Sequence, residues 1–144
     1  MDSDFIDLGI SKKSFAMPKP PHDVVVIGAE SGERRWTRVI TRRAAHALWY
    51  HLTTILYPGR ERHITTRAAT APIRSEESPS VTTFVEVFRG EDDFIEMLGT
   101  GGKSEWLARF SEREARALWA VLDKMLFPLG WEGSHYRMGN PPDS

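Results

Sequence analysis

The chain has 144 residues, 40% hydrophobic and 27% charged, with a net charge of −1. That is one domain's length, with enough apolar material to bury a core without metal or disulfide support. The absence of cysteine excludes a disulfide scaffold and thiol chemistry, and no apolar run approaches the roughly 18 residues of a membrane span.

Residues 1–22 combine an apolar patch (Phe5, Ile6, Leu8, Ile10) with Lys12, Lys13 and the prolines at 18, 20 and 21. They predict a partly ordered arm with one edge strand, since proline is confined to edges. Asp2, Asp4 and Asp7 lack the basic start of a signal peptide, so a soluble, cytoplasmic protein is expected. Next come a strand over 24–28, a turn at Ser31 and Gly32, and a strand in which Trp36, Arg38 and Ile40 alternate with Thr37 and Val39. Thr41 then caps a helix whose apolar positions are 45, 48, 49, 52, 55 and 56, and which Pro58 and Gly59 end.

A charged connection (58–63), an extended Thr/Ala-rich segment (64–73) and a polar loop (75–80) follow. Strands over 82–88, 94–99 and 105–110 are separated by turn signals at 90–93 and 99–103, so the 64–73 segment would lead a four-stranded meander. Ser111 and Glu114 form the pattern of a capping box for a second helix, with apolar residues at 115, 118, 119, 122, 125 and 126. Leu129 and Trp131 are placed back on the core, and 132–144 reads as a flexible polar tail.

The two helix-containing stretches, 36–58 and 106–128, overlay at an offset of 70 residues. Trp36/Trp106, Arg43/Arg113, Ala45/Ala115, Leu48/Leu118, Trp49/Trp119, Leu52/Leu122, Leu56/Leu126 and Pro58/Pro128 are identical pairs, and Thr41/Ser111 and Tyr57/Phe127 are conservative ones. Each unit alone has a one-faced sheet and a one-faced helix, which two units could shield in a shared core. The expected fold is therefore α+β: two tandem antiparallel β-meanders, each closed by a C-terminal helix, related by a pseudo-twofold axis. The first unit (23–59) has three or four strands and the second (64–131) has four, within one domain over 23–131. Charge differs between the halves: residues 1–72 carry 11 Lys and Arg against 7 Asp and Glu, and residues 73–144 carry 8 against 13.

Tandem meanders, each ending in a helix after a Ser/Thr cap, resemble the Whirly single-stranded DNA-binding proteins and small uncharacterised cyanobacterial proteins of that topology. The resemblance is topological and covers about residues 22–128. The family's lysine-and-glycine DNA motif, of the type KGKAAL, has no counterpart here, so the resemblance implies a fold and carries no binding residue.

The run Gly99, Thr100, Gly101, Gly102, Lys103, Ser104 has a phosphate-loop flavour, but Met97 stands where the first glycine belongs and a strand follows. A hairpin turn is the better reading. Arg34, Arg35, Arg38, Arg42, Arg60, Arg62 and Arg67 supply the charge that a nucleic-acid backbone requires, with Trp36 among them; a solvated rim is the competing reading. Glu86 lies between Phe84 and Phe88, and Glu96 between Phe94 and Leu98. If an 89–93 loop closes their hairpin symmetrically, the two carboxylates stand opposite each other and require a cation, for which Arg109 is a candidate. The histidines show no metal spacing, and no nucleophile motif is present.

The leading expectation is a non-enzymatic binding or assembly module without metal or cofactor. It would meet a protein partner on a sheet face formed by Phe84, Glu86, Phe88, Glu96 and Arg109. Single-stranded nucleic-acid binding through the arginines is the alternative, and a small enzyme ranks last. Open sheet edges would also allow a homodimer.

Overall fold

The structure is a computed structural model that describes residues 4–19, 24–60 and 81–127. In chain order the elements are β1 (Asp4–Lys19), β2 (Val24–Ser31), β3 (Arg34–Thr41), α1 (Arg42–Leu56), β4 (Phe84–Arg89), a 3-10 turn (Glu91–Asp93), β5 (Ile95–Gly101), β6 (Ser104–Phe110) and α2 (Glu112–Leu126). The class is α+β, with all six strands in one mixed sheet of order β3-β2-β1-β6-β5-β4. The segment 64–73, the loop 75–80, Leu129, Trp131 and the tail lie outside the described residues.

Two hairpins and their helices follow the local chemistry closely. β2 passes to β3 through Gly32 and Glu33, and β5 passes to β6 through Gly102 and Lys103, so the glycine-rich run is a hairpin turn. Thr41 Oγ1 accepts from the Ala44 amide at 3.0 Å, and Ser111 Oγ accepts from the Glu114 amide at 3.2 Å. These bonds satisfy donors that a helix start leaves open. The Glu114 carboxylate does not complete a capping box; it accepts from the Lys13 amide of β1 at 3.0 Å and so ties that strand to α2.

β1 corrects the expectation of an edge strand. Its first part, from Asp4 to Ser11, pairs in parallel with β6, and its second part, from Lys12 to Lys19, pairs antiparallel with β2. The register shifts between Asp7 and Gly9 and again between Lys12 and Phe15, where Gly9 (φ 78°) and Lys13 (φ 53°) take left-handed backbone conformations. The strand therefore hands over from one neighbour to the other in mid-sheet. Pro18 is tolerated because only β2 pairs with that part of the strand.

The two ends of the sheet also meet. Thr82, two residues before β4, bridges to Ile40 of β3; its amide donates to the Val39 carbonyl at 2.8 Å and its carbonyl accepts from the Thr41 amide at 3.0 Å.

The inward residues of the strands and the buried stripes of both helices form one core cluster. At its centre the indoles of Trp36 and Trp106 lie 5.8 Å apart, 7% and 1% exposed. Each buried ring N–H has an acceptor, Ser11 Oγ at 3.0 Å for Trp36 and Thr82 Oγ1 at 2.8 Å for Trp106. Between the helices, Trp49 Nε1 donates to Asp123 Oδ1 at 3.0 Å and Trp119 Nε1 donates to Thr53 Oγ1 at 2.8 Å. Phe127 packs on Trp49 and Tyr57 packs on Trp119, with ring centroids 5.0 and 4.7 Å apart. Among the described residues no helix is long and apolar enough to cross a membrane.

Candidate functional site

Strand alternation sends every second side chain of β4, β5 and β6 away from the core. Val85, Ile95, Met97, Trp106, Ala108 and Phe110 are buried on the inner side. The intervening residues form three rows across the outer face, read from β4 through β5 to β6. Phe84, Thr100 and Glu105 make the first row, Glu86, Leu98 and Leu107 the second, and Phe88, Glu96 and Arg109 the third. β1 extends the rows with Phe5 beside Glu105, Asp7 beside Leu107 and Ile10 beside Arg109.

The five residues expected to form a face therefore share one, in a different pairing. Glu86 stands opposite Leu98, and Glu96 opposite Phe88, so the two carboxylates are not directly paired. The expected register fails because the hairpin loop runs over 90–94 and Arg89 pairs with Ile95, one residue later on each side than a symmetric 89–93 loop requires. The tight turn that sets this register has Asp92 and Asp93 at φ 56° and 65°, and the Gly90 amide donates to the Phe94 carbonyl at 2.8 Å.

Arg109 does meet a carboxylate. Its Nε donates to Glu96 Oε2 at 3.2 Å, and its Nη1 lies 3.8 Å from Asp7 Oδ2. With its guanidinium engaged by two acids, the face presents more negative than positive charge: Asp7, Glu86, Glu96 and Glu105 against Arg109. Around these acids stand large apolar side chains open to water, Phe84 at 52%, Phe88 at 40% and Phe5 at 55% exposure. Both helices contribute their buried residues to the opposite side. A four-strand surface that mixes exposed aromatic rings with unneutralised carboxylates suits a partner that brings apolar groups and Lys or Arg. Phe5, Asp7, Ile10, Leu98 and Leu107 are additions to the sequence-based set. The signal for Phe5 and Asp7 was their alternation, which does not disclose the neighbouring strand; Ile10 joins them only through the register shift between Asp7 and Gly9.

The arginines are dispersed. Arg34 and Arg35 open β3, where Arg35 lies 3.7 Å from Glu30, while Arg42 opens α1 at the other end of that strand, about 26 Å away at the rise of an extended chain. Arg60 follows α1, 5.9 Å above the Tyr57 ring. Arg38 lies on the strand parity of Trp36 and Ile40, the inward side, and burial lowers its pKa from the usual arginine value. Arg62 and Arg67 lie outside the described residues. No protein-family model, curated protein or solved structure matches the chain, so the face is judged on its own chemistry.

Proposed function

We propose that the chain is a non-enzymatic binding or assembly module that receives a basic, partly apolar segment of a protein partner on the outward face of β4, β5, β6 and the first part of β1. The observation that carries this reading is the exposure of Phe84 and Phe88, at 52% and 40%, on either side of Glu86 in one strand. Exposed aromatic side chains gathered on one face favour burial against another molecule, and the adjacent carboxylates select its charge.

The same proposal includes the architecture, two strand-and-helix units about a pseudo-twofold axis in a Whirly-like arrangement. In support, contacts recur at positions seventy residues apart: Trp49 with Asp123 against Trp119 with Thr53, and Trp49 with Phe127 against Trp119 with Tyr57.

The test is affinity capture with chemical crosslinking, comparing the wild-type chain with Glu86→Lys/Phe88→Ser, alongside fluorescence anisotropy of single-stranded DNA and RNA at low and moderate salt. The expected result is crosslinks that map to β4 and β5 in the wild type and disappear in the variant, with no salt-sensitive nucleic-acid binding. Crosslinked partners unchanged by the variant would remove the face from consideration. Micromolar nucleic-acid binding that Arg34→Ala/Arg35→Ala abolishes would replace this reading with the Whirly-like one.

A further inference from the structure

Arg38 is a charged side chain in a place where the chain otherwise uses apolar ones. Trp36 and Ile40, its neighbours of the same strand parity, are buried, and it stands opposite the buried Ile27. In β6 the residue between the inward Trp106 and Phe110 is Ala108, fully buried. A guanidinium that is partly withdrawn from water gains from an anion partner. Among the described residues Arg38 makes no ion pair; its Nη1 donates to the Thr37 carbonyl at 2.7 Å, which leaves most of its donors for another acceptor.

Arg38 also borders a cavity of about 310 Å³ between β3 and the start of β6. Ile6, Val39 and Trp106 supply apolar wall, Ser104 supplies a hydroxyl, and Glu105 contributes negative charge. The volume is at the small end of ligand pockets, suited to a molecule of roughly ten heavy atoms. A planar guanidinium fork matches a carboxylate, and the neighbouring Glu105 disfavours a doubly charged phosphate.

We propose that this cavity is a binding site for a small monocarboxylate with an apolar or aromatic body, held by Arg38 at its charged end and by Ile6, Val39 and Trp106 along its body. The site is separate from the aromatic and acidic surface proposed for the protein partner, apart from Glu105, which borders both.

Benzoate is the probe, titrated into the 15N-labelled chain and followed at the Trp106 indole and Arg38 side-chain resonances, with benzamide and inorganic phosphate as comparisons. Saturable benzoate shifts are expected, with benzamide and phosphate each at least about tenfold weaker, and with affinity for benzoate falling at least about tenfold in Arg38→Met. Absence of saturable benzoate shifts would overturn the proposal. Equal binding of benzoate and benzamide, or tighter binding of phosphate, would do so as well, and these comparisons need no variant. Undiminished benzoate binding by a folded Arg38→Met chain would remove Arg38 from the site.

Discussion

Residues 24–56 and 95–126 each fold as a hairpin followed by a 15-residue helix, and they treat their interiors and surfaces in opposite ways. Inside, one half sets Ala29 against Trp36 and the other sets Gly99 against Trp106; Thr41 caps one helix and Ser111 the other. Outside, the cross-strand pair Val26 and Val39 of the first half has Glu96 and Arg109 as its counterpart in the second. On the inward side Arg38 takes the place that Ala108 holds. The first turn of α1 has no acid, whereas that of α2 has Glu112 and Glu114. Packing constrains the shared interior tightly, because small changes in volume are felt there. The outer positions are free to acquire different chemistry, and they are where the proposed surface lies; the proposed cavity instead borders Arg38, the inward position at which the two halves differ.

The largest effects should come from breaking what the halves share. Trp36→Ala and Trp106→Ala are each expected to cost about 3–5 kcal/mol in urea unfolding, through lost burial and the cavity left behind. The ring centroids lie 5.8 Å apart, so the double variant should lose less than the sum of the single losses. Full additivity would mean that the two indoles stabilise the core independently.

A smaller effect separates Gly99 from Ala29. A Cβ on Gly99 would meet the Trp106 ring, so Gly99→Ala is expected to destabilise by about 1–3 kcal/mol. Ala29 already carries that carbon against Trp36, and Ala29→Gly should cost about 0.5–1 kcal/mol through backbone entropy. A Gly99→Ala chain as stable as the wild type would show that the Trp106 ring can move aside for the added carbon.

The helix contact offers a further comparison. Thr53→Val removes the acceptor for Trp119 Nε1 and is expected to cost about 1–3 kcal/mol. Asp123→Asn keeps an acceptor for Trp49 and should cost less than about 1 kcal/mol. A larger loss in Asp123→Asn would mean that its negative charge, rather than its acceptor geometry, holds the helices.

Both helices and their hydroxyl caps were legible in the sequence because they rest on interactions within a few residues, and the buried tryptophans because they recur at matching positions of the repeat. The pairing of β1 was not. Its parallel neighbour β6 is about a hundred residues away, and the alternation of Phe5 and Asp7 fits any neighbour equally well. The offset of Glu86 from Glu96 depends on the left-handed backbone at Asp92 and Asp93, which residue types at that turn permit without requiring. Glu114 matched the capping pattern, but a tertiary donor, the Lys13 amide, took its carboxylate. Arg38 was a subtler case. Its parity with Trp36 and Ile40 was visible, yet its charge grouped it with the surface arginines at 34 and 35.

The smallest predicted effect concerns pH, and it separates α2 from α1. The Glu112 carboxyl is held below its usual pKa chiefly by the hydrogen bond from Arg116, with charge attraction from Arg116 and Arg89 adding to it. A carboxyl whose pKa is lower folded than unfolded stabilises the fold above its unfolded pKa, and that contribution is lost as pH falls through the folded value. Acidification below the ordinary carboxylate range, about pH 4, should therefore loosen the first turn of α2. The first turn of α1 begins with Arg42 and Arg43 and has no carboxylate to protonate. Amide hydrogen exchange, corrected for its intrinsic pH dependence, should show protection at the start of α2 falling with acid more than at the start of α1. Glu112→Gln should remove Glu112's part of that difference. An α2 start that stays as protected at pH 3.5 as at pH 6 would mean that Ser111 alone sustains the helix terminus and that the Glu112–Arg116 pair is only a surface contact of little energetic weight.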